Sequence, residues 1–196
     1  RSRGLGDVYK RQVEMRAPSL LQTPLPAANK RAPRMPLIAA REAKSLLDLL
    51  YDGLYVVFML KSGQRPASAE TFREHIRSLL IDYERGALGL KAAAEDVFLS
   101  KFAFCALVDE TMLSTPSAAR NDWERRPLQL ELFGEQLAGE RFFEHLERLR
   151  AESPPRVQVL EVFHMCLLLG FQGQYVIEGS EKLNYLTGRL LSLIHI

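Results

Sequence analysis

The feature that most constrains this chain is a long apolar run over residues 97–108, in which Lys101 is the only charged residue. A helix that is apolar on almost every side must be surrounded by other helices. The run therefore predicts the central helix of an all-α domain. Two adjacent carboxylates, Asp109 and Glu110, follow the run directly, and Thr115-Pro116 ends the helical pattern.

Asp109 is predicted to point into the core. Residues three and four apart share a helix face, and this spacing places Asp109 on one stripe with Phe98, Phe102, Cys105 and Met112. An inward carboxylate must accept hydrogen bonds, pair with a cation or take up a proton. Two interpretations stay open: Asp109 ties down a neighbouring backbone segment, or Asp109 and Glu110 line a cleft that a partner uses.

Charge is distributed unevenly along the 196 residues. Residues 1–36 hold eight Lys/Arg against two Asp/Glu, a net charge of +6. Subtracting these from the 26 basic and 24 acidic residues of the chain leaves 18 and 22, so residues 37–196 carry −4. A mildly acidic domain argues against nucleic acid as its main ligand, because neutralising phosphates needs a basic face.

The two cysteines, Cys105 and Cys166, each lie inside an apolar helical run. They are predicted to be buried free thiols, as in a reducing compartment. No window of about 18 apolar residues without charge exists that could span a bilayer, and no secretory signal peptide is recognisable.

The chain divides into three predicted parts. Residues 1–36 are expected to be a disordered Pro-rich, basic leader, of which 1–12 resemble sequencing-adapter read-through. Residues 37–191 are the folded domain, and 192–196 are expected to be a truncated or artefactual end. Apolar periodicity predicts seven to eight helices and no strand. Their expected positions are 37–60, from Ser68 to an end marked by Gly86 and Gly89, from near Lys91 to Thr115, 128–133, 140–150, 157–169 and from Ser180 onward.

An enzyme is the alternative hypothesis. Glu161 and His164 form a Glu-x-x-His pair, the spacing that places two metal ligands on one helix face in di-iron bundles. A second such pair is missing, and His164 is more simply a hydrogen-bonded core histidine. A separate acidic series most simply indicates a solvated helix face. Alternatively, the series could form the rim of an acidic cleft together with Asp109 and Glu110. Its members are Glu131, Glu135, Glu140, Glu144 and Glu147.

Three ordered blocks resemble the DotU/TssL family of secretion-system proteins. They are A-L-V-D-E-T-M-L-S-T-P at 106–116 with Trp123 after it, L-x-L-x-L-F-G-E-x-L-A-G-E-R-F-F-E-x-L at 128–146, and E-V-F-H-M-C-L-L-L-G-F-Q-G-Q-Y at 161–175. The resemblance spans roughly residues 40–190. It departs from the family after Thr115-Pro116, where Ser117-Ala118-Ala119 stands in place of aromatic and glycine residues.

The resemblance implies a type VI secretion component, related to DotU (IcmH) of type IVB systems, at the bacterial inner membrane. It implies a cytoplasmic domain of two three-helix bundles arranged as a hook, and a C-terminal transmembrane helix that this chain lacks. The implied partners are TssM/IcmF and TssK, with TssE as a further candidate and homodimerisation left open. It implies no catalytic activity and no cofactor. The expected partner-binding cleft residues are Asp109, Glu110, Gln172 and Gln174.

Overall fold

The computed structural model describes residues 43–195, except for the side chains at positions 177, 178 and 180. The predicted leader over 1–36 and the first residues of the predicted helix over 37–60 lie outside the described residues. The part that is described contains helices and connections without a strand, so the all-α prediction is confirmed.

Six long helices and three short ones form the described domain. The long helices are α1 (Leu46–Lys61), α2 (Ala69–Gly89), α3 (Ala94–Ser114), α6 (Ala138–Ala151), α7 (Val157–Leu168) and α9 (Ser180–Ile194). The short helices are α4 (Arg120–Glu124), α5 (Leu128–Phe133) and α8 (Tyr175–Glu178). Neither α4 nor α8 was expected, because a single helical turn leaves little periodicity to read.

Local capping sets where the first helices begin. Ser45 accepts a hydrogen bond from the Asp48 backbone N–H, and the Asp48 carboxylate accepts one from the Ser45 N–H, which together form a capping box. Ser68 caps α2, because its side chain accepts a hydrogen bond from the Thr71 N–H. The helix passes Gly86 and ends at Gly89, the second of the two glycines predicted to mark its end. A Cβ at Gly86 would collide with the Leu49 side chain of α1.

The helices bury one continuous hydrophobic core around α3. In the first half of the domain α1, α2 and α3 pack on one another, and in the second half α7 packs on α6 and α9. The contact between α3 and α7 joins the two halves, so residues from α1 to α9 share the core. The side chains of α3 are buried on all sides from Phe102 to Asp109, as its apolar run predicts.

One residue of the predicted inward stripe is misplaced. Phe98 is 48% exposed. It lies near the start of α3, where its ring packs against Phe102 and Phe133, at centroid distances of 6.4 and 5.4 Å, and leaves its outer face open to solvent. The remaining members of the stripe, Phe102, Cys105, Asp109 and Met112, are buried.

Candidate functional site

Asp109 ties the start of α5 to α3. It is 5% exposed. Its Oδ1 accepts hydrogen bonds from the Trp123 indole N–H at 2.8 Å and from the Leu128 backbone N–H at 2.9 Å. Its Oδ2 accepts from the Gln129 backbone N–H at 2.8 Å. Because the first N–H groups of a helix have no intrahelical partner, Asp109 acts as a cap for α5 from a different helix.

The buried position changes the ionisation of Asp109. Burial raises the pKa of its carboxyl group from 3.8 to about 6, against the opposing effect of its hydrogen bonds and of the nearby Arg73 guanidinium.

The Gln129 side chain gives α5 a second attachment to α3, because its amide N–H donates to the Phe102 carbonyl oxygen at 2.7 Å. The segment that carries Trp123 and α5 is thus fixed to α3 by buried polar contacts.

A cluster of three arginines and one glutamate covers the Asp109 contacts. The Arg73 guanidinium carbon lies 4.5 Å from the centroid of the Trp123 ring. Glu131 of α5 pairs with Arg73 at 3.6 Å, with Arg126 at 3.0 Å and with the Nε of Arg77 at 2.8 Å. The expectation that Glu131 is solvated is wrong: its side chain is 10% exposed. A carboxylate can be buried here because cations surround it.

Glu110, the next residue of α3, holds a different segment. Its Oε1 accepts a hydrogen bond from the Gln172 backbone N–H at 2.9 Å, and its Oε2 accepts one from the Gly173 N–H at 2.7 Å. Burial raises the pKa of Glu110, while these two N–H groups and the charge of Lys61 oppose the rise. The Lys61 ammonium group at the end of α1 lies 3.5 Å from the Gly170 carbonyl oxygen of the same turn.

Glycine is required in this turn at position 173. Gly173 has a φ of +49°, in the left-handed region that side chains disfavour. A Cβ there would lie 2.7 Å from the Gly139 carbonyl oxygen and 3.0 Å from the Phe143 ring. Residues 170–173, which we name the glycine turn, therefore pack closely on the start of α6 while Glu110 binds them from α3.

Comparison with known proteins gives a family for this arrangement. The protein-family model described as type VI secretion system protein DotU matches residues 45–196. The chain belongs to the DotU family. It is therefore a component of a type VI secretion system, and the resemblance predicted from its three sequence blocks is confirmed.

Two solved structures share the fold. The cytoplasmic domain of TssL from Acinetobacter baumannii is 47% identical, with a TM-score of 0.74, and the match covers 78% of this chain and 98% of that domain. The T6SS protein SciP/TssL from Escherichia coli Enteroaggregative 042 is 26% identical, with a TM-score of 0.64, covering 72% of this chain and 84% of the other. No curated protein sequence matches the chain significantly.

The four residues predicted for a cleft in this DotU-family domain fall into two groups. Glu110 and Gln172 come together through the backbone of the glycine turn, and Gln174 follows as a half-buried residue before α8. Asp109 belongs to the other segment, where it ties down backbone, as the first of the two interpretations stated. A role of these residues in binding a partner stays a prediction.

Sequence reasoning missed the groups that complete both attachments. The N–H donors of Leu128 and Gln129 could not be identified, because backbone groups have no sequence signature. Trp123, the only tryptophan of the chain, carried a usable signal: a buried indole N–H needs an acceptor.

The Glu161–His164 pair finds no further ligand on α7 or nearby. Both residues are half-buried, and burial lowers the pKa of His164. Among residues 43–195, no group of three or more His, Cys, Asp or Glu side chains is arranged to hold a metal ion. The family comparison gives no support to the metal-enzyme alternative. None of the helices in the described range is long and apolar enough to cross a membrane.

Proposed function

We propose that this chain is a non-enzymatic scaffold of a type VI secretion membrane complex. The observation that carries the proposal is the glycine turn: both carboxylate oxygens of the half-buried Glu110 on α3 accept hydrogen bonds from the turn that presents Gln172 to solvent. A side chain used in this way positions a surface and is not free for acid–base chemistry. Membership of the DotU family supports the same role.

The reactive groups of the core support a non-catalytic role. Cys105 and Cys166 are free but completely buried, and burial raises the pKa of each thiol, so that neither is a ready nucleophile. Asp109 accepts three hydrogen bonds from protein groups. No cofactor is part of the proposal.

The proposed partners are TssM/IcmF and TssK, with TssE as a further candidate, and none is a nucleic acid. The domain would face the cytoplasm at the bacterial inner membrane, as the cytoplasmic TssL domain from Acinetobacter baumannii suggests. Membrane attachment through a transmembrane helix and a homodimer belong to the same proposal. In this arrangement Glu110, Gln172 and Gln174 form the contact surface, and Asp109 fixes α5 to α3.

The test separates contact from stability. The full chain is assayed for binding to TssK and to the cytoplasmic region of TssM, and the Gln172→Ala/Gln174→Ala double variant is compared with it. Because Glu110 binds only the backbone at Gln172, this variant keeps the turn. We expect at least about tenfold weaker binding, roughly 1.4 kcal/mol, with an unchanged melting temperature. Asn121→Ala, an exposed amide on α4, is the control and should bind normally.

Two results would count against the proposal. Normal binding by the glutamine double variant would remove Gln172 and Gln174 from the contact surface. If the unmodified, folded chain bound neither partner, docking by this domain would be excluded for the proteins tested. Circular dichroism of each variant shows that the helical fold is retained.

A further inference from the structure

The outer face of α1 carries an unusual row of exposed aromatic residues. Tyr51, Tyr55 and Phe58 follow one another at intervals of four and three residues, so they share one helix face. They are 61%, 41% and 52% exposed. The rings of Tyr55 and Phe58 stack with their centroids 6.5 Å apart. We name these three residues the α1 aromatic stripe.

Helix α7 packs beside α1. The Leu46 backbone N–H donates to the Gln158 side chain at 3.2 Å, near the start of both helices, and Lys61 lies against the Gly170 carbonyl just beyond the end of both. The two helices are therefore parallel and level. Leu168, which is 59% exposed, is the last residue of α7. The stripe and Leu168 present apolar groups on adjacent parallel helices.

The middle part of these two helices carries acidic side chains. Asp52 on α1 is exposed and Glu161 on α7 is half-buried. Neither forms an ion pair or side-chain hydrogen bond within the described range, in contrast to the other acidic clusters of the domain. The lysines of α1 and its approach, Lys44 and Lys61, lie at the two ends. Unpaired carboxylates beside an apolar stripe are complementary to a ligand that is both apolar and basic.

We propose that the α1 aromatic stripe and Leu168 bind an amphipathic helix of a partner protein, whose apolar face is flanked by Lys or Arg. The stripe covers two helical turns, about 10 Å, so the partner helix must be at least that long. An added β-strand is not accommodated, because the described domain offers no sheet edge. The surface borders the glycine turn, because Leu168 lies two residues before Gly170, but the inference does not depend on the docking proposed there.

Two other occupants are disfavoured by the same charges. In a symmetric dimer the same patch would face itself, which would bring Asp52 and Glu161 of one copy against those of the other. Like charges placed opposite one another at an interface oppose binding. An anionic membrane surface would meet the same carboxylates and is repelled for the same reason.

The experiment uses the full chain and two synthetic helical peptides of about 18 residues. Both peptides carry the same Leu/Phe stripe, flanked by Lys in one and by Glu in the other. Fluorescence anisotropy gives their Kd values. We expect the Lys peptide to bind at least about tenfold tighter than the Glu peptide, and to weaken as salt is added. Tyr55→Ala/Phe58→Ala should weaken the Lys peptide by at least about tenfold.

The matched control is Ile81→Ala/Leu88→Ala, which removes two exposed apolar side chains from α2 and should leave the Kd unchanged. Gln172→Ala/Gln174→Ala should also bind the Lys peptide normally, which separates this surface from the proposed docking turn. The inference is overturned if neither peptide binds, if both bind equally, or if the stripe variant binds as well as the control. Light scattering that shows a dimer abolished by Tyr55→Ala/Phe58→Ala would identify a second copy as the occupant instead.

Discussion

Asp109 and Glu110 are neighbours in sequence and do the same local job in different surroundings. Each carboxylate accepts hydrogen bonds from two successive backbone N–H groups of a distant segment. Asp109 does so inside the core, with Trp123 as a third donor, whereas Glu110 holds a turn whose Gln172 is exposed. Consecutive helix residues point about 100° apart, which lets one helix fix two segments.

The difference separates a structural attachment from a candidate recognition surface. Without Asp109, the N–H groups of Leu128 and Gln129 would be left without an acceptor at residues that are 0% and 2% exposed. Without Glu110, the N–H of Gln172 can form a hydrogen bond with water instead, because Gln172 is exposed. Burial thus makes the first attachment a requirement of folding, and partial exposure allows the second to set the shape of a surface that a partner can contact.

The largest expected effect comes from disrupting the core packing of α3, the helix that carries both Asp109 and Glu110. Phe104 and Val108 are 0% exposed on α3. Val108→Asp or Phe104→Asp places an unpaired charge in the core, which costs several kcal/mol against a total stability of about 5–15 kcal/mol. We expect the domain to unfold, as measured by circular dichroism. Ile81→Asp, the same kind of change at an exposed position of α2, should remain folded.

A Val108→Asp variant with a near-normal melting temperature would show that α3 is not the central helix. The comparison between the two carboxylates would then lose its basis, because both would lie on a peripheral element. Phe104→Asp serves as the second variant, since its ring packs against Gly53 of α1 and tests a different side of α3.

A smaller effect should distinguish the two carboxylates directly. Asp109→Ala leaves the Trp123, Leu128 and Gln129 donors without an acceptor, and we expect it to lower the free energy of unfolding by about 3–5 kcal/mol. Glu110→Ala should cost about 1–2 kcal/mol, because solvent can replace part of its contacts. Urea unfolding of both variants gives the two values. Equal losses would mean that the difference in exposure has no energetic consequence.

Sequence periodicity predicted the helices well because it is a local property. The short helix over 128–133, the end of α3 at Thr115 and the inward direction of Asp109 all follow from residues close in the chain. Phe98 is the exception: it has the correct spacing but lies where the neighbouring elements no longer cover α3. Periodicity gives the direction of a side chain and does not give the extent of its neighbours.

The partners of the two carboxylates could not be predicted for the opposite reason. Asp109 meets backbone groups 19 and 20 residues away, and Glu110 meets groups 62 and 63 residues away. These contacts depend on how the connectors fold back onto α3, and a backbone N–H looks the same at every position. The Glu131 ion-pair cluster was missed because Glu131 opens an acidic series, and a series of glutamates most simply predicts a solvated face.

The last prediction uses the pKa of Asp109, which folding raises from its ordinary value of 3.8 to about 6. A carboxyl group whose pKa is raised by folding binds its proton more tightly in the folded state. Its contribution to stability is therefore full below about pH 4 and is lost as the pH rises through about 6, a change of about 3 kcal/mol. Asp109→Asn does not titrate. The unfolding free energy of the unmodified protein, relative to this variant, should fall by about that amount between about pH 4 and 7. Urea unfolding across this range measures it, and Glu110→Gln should show a change of the same sign, since burial raises the Glu110 pKa also. Parallel curves for the unmodified protein and Asp109→Asn would mean that the three N–H donors fully compensate the burial of the Asp109 charge.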